Sequence, residues 1–137
     1  MATLPSGLPD VVGDDEDIAR FLTQSNQFNA TMVKPAAFLP SPKDRETSVS
    51  RHGKEPADRL WRLGLSAAGE RTLYGAALLK AHVVRGAGLE LAADEPPEFH
   101  AVIRGWPWLT NDPEMQRAQQ RERAIVLASA AGEPILR

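Results

Sequence analysis

Three histidines, sixteen lysines and arginines and no cysteine bound the chemistry open to this 137-residue chain. Without a thiol there is no thiolate nucleophile, no thiolate zinc site and no redox sensor. His52, His82 and His100 have 29 and 17 residues between them, so no pair has the one-turn spacing of a helical metal site. The glycine-containing runs GLSAAGE and RGAGLE lack both the Lys-Ser/Thr ending of a nucleotide P-loop and the dinucleotide spacing. No metal and no cofactor is expected.

Three clusters could still carry binding or catalysis. Ser48, Ser50, Arg51, His52 and Lys54 follow one another at the end of an alternating segment. An arginine fork beside hydroxyls and a histidine suits a phosphate, whereas the plain alternative is a solvated turn. His100, Arg104, Trp106 and Trp108 form the second cluster, with His100 the candidate acid/base. In a strand His100 and Arg104 share a face but stand about 13 Å apart, so only a ligand could span them. The tryptophans could stack on a base or simply cover the end of the core. Arg117 and Arg121, one helical turn apart, make the third, a stripe for an acidic partner or a solvated face.

Among the elements that must hold these groups, TSVSR reads as a strand over 46–51 and PADRLWRLG as a helix over 56–63, with Gly64 at its stop. Residues 72–85 fit either a helix or a buried strand with Gly75 at a bulge, and the Ala and Leu content favours the helix. GLELAAD and FHAVIRGW read as two strands of a hairpin around Pro96 and Pro97. In the second, Phe99, Ala101 and Ile103 face inward, and His100, Val102 and Arg104 outward. Asn111-Asp112-Pro113-Glu114 opens a helix over 113–131 that Gly132 and Pro134 end.

At the other terminus, residues 1–13 mix small residues, proline and glycine and read as a disordered leader before one domain over 14–137. Asp14 to Thr23 then fits a short acidic helix, with Ile18, Phe21 and Leu22 on one face as a docking stripe for a partner. Ser25 to Pro42 is expected to be extended, anchored by Met32, Val33, Phe38 and Leu39. The sum is an α+β fold: a small antiparallel sheet of three or four short strands, packed on one face by about three helices, with a short N-terminal helix.

The net charge is -2, and the largely apolar stretch from Leu73 to Leu91 is broken by Lys80, His82 and Arg85. A cytoplasmic chain with no secretion signal and no membrane partner is expected. Five of the acids lie in residues 1–30 against one base, which leaves 15 bases and 13 acids in the rest. Three functions follow. The first is a non-enzymatic interaction or regulatory module acting with a larger protein partner, since no catalytic motif is present and the acidic segment looks separable. The second is a small enzyme on a phosphorylated or nucleotide substrate, with His100 as acid/base and Arg51 or Arg104 as clamp. The third is nucleic-acid binding by the slightly basic body.

Overall fold

A computed structural model describes residues 2–51 and 56–137. Its elements are β1 (Asp17–Leu22), β2 (Thr47–Ser50), α1 (Ala57–Ala68), β3 (Gly75–Lys80), α2 (Ala81–Gly86), β4 (Glu90–Ala93), β5 (His100–Arg104), α3 (Pro113–Ala131) and β6 (Ile135–Leu136). The strands form one antiparallel sheet in the order β4-β5-β2-β1-β3-β6. The α+β class therefore holds, with six strands instead of three or four among the described residues. No helix is long and apolar enough to cross a membrane among them.

The expected acidic helix is instead the strand β1, near the middle of the sheet. It pairs with β3 from Asp17↔Lys80 to Leu22↔Gly75. Ile18, Phe21 and Leu22 are all buried, so they are core residues and not a docking stripe. Strand alternation sends Ile18 and Leu22 to one face and Ala19 and Phe21 to the other, and each face has its own apolar cluster. A strand covered on both sides shows no polar alternation, and this spacing then imitates a helical face. The neighbouring acids are paired to the body: Asp14 with Arg85 at 2.6 Å, Asp17 with Lys80 at 3.3 Å and Glu16 with Arg51 at 2.8 Å.

Residues 72–85 divide in the same way. The segment GAALLK is the strand β3, and only Ala81 to Gly86 is helical. Ala76 and Ala77 are both fully buried, on opposite faces, and tertiary packing here overrides the helical preference of alanine. α1 continues past Gly64 to Gly69, the true stop at φ 61°. Gly64 has another role: a Cβ there would lie 2.8 Å from Leu73 and 2.9 Å from Phe21, so its absence lets α1 settle directly on the sheet.

Helices consequently cover both faces rather than one. α1 packs with Ala19, Phe21, Leu73 and Ala76, while α2 and α3 close the other face over Ile18, Val49, Leu79, Ala101 and Ile103. α3 spans the expected 113–131, capped by the Asp112 carboxylate, which accepts from the Met115 amide at 3.0 Å. β5 keeps the expected alternation for Ala101 and Ile103, but Val102 is buried too because both faces are packed. In the connector after β1, single 3-10 turns at Ser25–Gln27 and Pro35–Ala37 replace continuous extended chain. Val33 and Phe38 are its buried anchors, whereas Met32 and Leu39 stay exposed.

Residues 2–13 follow the body closely. Thr3 bridges Pro9, the Ser6 hydroxyl donates to Glu95 at 2.6 Å, and Val12 is 1% exposed within the main core. A chain beginning at Asp14 is therefore expected to melt several degrees lower, because it loses the Val12 side chain and the Pro9 and Val11 carbonyls that accept from Arg51. Thermal unfolding of both forms checks this. An unchanged midpoint would make the segment a dispensable leader.

Candidate functional site

The two central strands diverge, and the opening between them is a groove. β1 and β2 share a single register pair, Ala19↔Ser50, whereas β1 and β3 share six. Arg20 reaches across the opening: its Nε donates to the Ala37 carbonyl at 2.7 Å and its Nη1 to the Ser48 carbonyl at 3.0 Å. Beyond the end of α1, Arg71 caps the helix through the Ala68 and Ala67 carbonyls, both at 3.0 Å, and reaches Thr23 Oγ1 at 3.4 Å. Arg62 joins them from α1 itself. The resulting groove holds about 760 Å³ and is walled by these three arginines, by Ser41, Asp44 and Glu46 of the turn before β2, and by Ser48, Ser50, Glu98 and His100.

Its charges are unpaired across the groove, with Arg20, Arg62 and Arg71 in the same lining as Asp44, Glu46 and Glu98. Arg20, Arg62 and Arg71 form no ion pair among the described residues, although other surface cations do. Burial, and then the charge of Arg71, push the Arg20 guanidinium down to about 10, so it remains charged at neutral pH. A desolvated cation facing a second cation is stabilised by any anion that enters.

At the other end stands His100, opposite Ser50 in the β2–β5 ladder. Residues paired in this way have Cβ atoms about 4.5–5.5 Å apart on the same face. The chain enters β5 through Phe99 at φ 66°, a conformation held by burial, by the Arg51 amide donating to its carbonyl at 2.8 Å, and by Arg59 over its ring at 4.5 Å. His100 Nδ1 lies 2.9 Å from the Asp94 carbonyl oxygen and 3.3 Å from the Asp94 carboxylate. A carbonyl only accepts, so Nδ1 carries a proton, and in the neutral tautomer Nε2 is the basic nitrogen. Beside it, the Ser50 hydroxyl is buried with no hydrogen-bond partner among the described residues. A fixed tautomer and a basic nitrogen on the wall of a groove that also carries three arginines allow proton transfer on an anion bound there.

The remaining residues singled out from the sequence lie elsewhere. Arg51 is a buried structural hub, with Nε and Nη2 on Glu16 and Nη1 on Pro9, so it is not a free clamp. His52 and Lys54 lie outside the described residues. Arg104 sits at the far end of β5, half-exposed and 3.3 Å from Glu90. Trp106 is buried in the core, and Trp108 lies under Arg45 at 4.7 Å. Arg117 and Arg121 are exposed on α3, away from the groove. No group of three or more metal-ligating side chains occurs among the described residues.

Sequence reasoning missed Arg20, Arg62, Arg71 and Asp94. One signal was available for Arg20: a lone arginine inside the apolar run Ile18–Leu22 is a charge in a core segment and needs a reason. No family model matches the chain, and no curated protein and no solved structure matches it either.

Proposed function

We propose that this chain is a small enzyme of the phosphorylated-substrate class, with Arg20, Arg62 and Arg71 as anion clamp and His100, oriented by Asp94, as proton-transfer group. One observation carries the reading: three arginines on one groove without a carboxylate partner among the described residues. Two of them are held by backbone carbonyls, so their geometry exists before a ligand arrives. The clamp named from the sequence moves from Arg51 and Arg104 to these three. The interaction-module reading rested in part on a separable arm, whose apolar residues lie inside the sheet.

Thermal unfolding of the full chain with inorganic phosphate or pyrophosphate tests the clamp. A ligand that binds only the folded state adds about 2.7 kcal/mol at a hundredfold excess over Kd, which raises the midpoint by several degrees. Arg71→Gln, at an exposed position, should fold normally and lose most of that rise. No rise with either anion up to tens of millimolar would overturn the reading.

A further inference from the structure

The wall facing the arginines is acidic and hydroxylic. Asp44 and Glu46 line the groove with Ser41 and Ser48, yet neither carboxylate pairs with an arginine among the described residues. The turn that carries them is fixed by its own hydrogen bonds: the Glu46 amide donates to Asp44 Oδ1 at 3.1 Å and the Ser41 amide to the Glu46 carbonyl at 2.9 Å. Opposed charges left apart across a groove enclose room for a ligand that satisfies both walls. Carboxylates and serines there accept and donate hydrogen bonds to hydroxyl groups, while the arginines take an anion.

The aromatic content narrows the ligand further. Phe21 is the only Phe, Tyr or Trp ring lining the groove among the described residues, and it is 8% exposed, packed beneath α1. Trp106 belongs to the core on the opposite face of the sheet, and Trp108 already lies under Arg45. Among the described residues, no Phe, Tyr or Trp face is open in the groove for a nucleobase to stack on. We infer that the ligand is a sugar phosphate, with its phosphate on Arg20 and Arg71, its hydroxyls on Asp44 and Glu46, and no base. This rests on the phosphate-clamp reading and names the ligand within it.

Calorimetric titration of the full chain with inorganic phosphate, glucose 6-phosphate, ribose 5-phosphate, adenosine monophosphate and phosphoethanolamine tests it. At least one sugar phosphate should bind about tenfold or more tightly than inorganic phosphate, the gain expected from one or two hydrogen bonds to charged acceptors. Adenosine monophosphate should bind no more tightly than ribose 5-phosphate. The double change Asp44→Asn and Glu46→Gln, at positions outside the core, should bring the preferred sugar phosphate to within about twofold of inorganic phosphate, since neutral amides accept more weakly than carboxylates. Inorganic phosphate binding itself should persist in that variant, which shows the fold and the clamp intact. Equal binding of phosphate and both sugar phosphates, or a preference for adenosine monophosphate or phosphoethanolamine, would overturn the inference and leave the clamp standing. Failure of every phosphate compound to bind would remove both.

Discussion

Glu16→Ala is expected to destabilise the chain by about 3–5 kcal/mol, because it strands a charge that the fold has taken out of water. The Arg51 side chain is 0% exposed and Glu16 27%, with the guanidinium forked on the two carboxylate oxygens at 2.9 and 2.8 Å. The same carboxylate accepts from the Gly13 amide at 2.6 Å, so one side chain ties the N-terminal segment to β2. After its loss Arg51 keeps the Pro9 carbonyl at 2.7 Å, which compensates hydrogen bonding but not charge. Arg104→Ala supplies the contrast. Its pair with Glu90 is exposed on both sides, 51% and 69%, and such pairs contribute less than about 1 kcal/mol. Urea unfolding of both variants measures the difference. Equal losses would mean that the Glu16–Arg51 pair is solvated and that Arg51 is available for ligands after all.

Ile103→Ala is the second large effect, expected at about 2–5 kcal/mol from lost burial and the cavity left behind. Ile103 is fully buried and sits in the ladder between Thr47 on β2 and Leu91 on β4, on the face closed by α2 and α3. Alternation along β5 makes this a test of the site as well as of the core. If Ile103 points inward, His100 points to the groove, since the two differ by three positions and strand faces alternate with period two. A loss from Arg104→Ala as large as that from Ile103→Ala would show the register slipped by one residue, which would turn His100 away from Asp44 and the arginines.

The groove also accounts for an otherwise costly arrangement. A partly buried arginine without a carboxylate lowers stability, and the charge of Arg71 adds repulsion. Such strain against stability is common where a ligand supplies the missing charge. The acidic residues of the N-terminal stretch cannot relieve it, because Asp14, Glu16 and Asp17 are taken up by Arg85, Arg51 and Lys80.

What the sequence by itself determined was local. Asp112, Pro113 and Gly132 carry the start and stop of α3 in their own side chains and backbone preferences, and the element follows to the residue. The β2 strand, the β4–β5 hairpin and the inward set Ala101 and Ile103 were legible for the same reason, as alternation and turn residues act over a few positions. The absence of cysteine closed whole classes of chemistry at once. Tertiary structure decided the rest. β1 and β3 run through the sheet with packing on both faces, which erases the period of two and leaves apolar spacing that a helix would share. The site is assembled from residues up to 80 positions apart, Arg20 on β1, Arg62 on α1, Arg71 beyond it and His100 on β5, and no spacing rule links them. Arg51 shows the same limit from the other side: its composition suits an anion clamp, and only its burial against Glu16 makes it a structural post. Side-chain chemistry is local, but whether a charge meets a ligand, a carboxylate or solvent depends on which distant segments the packing of two cores brings beside it.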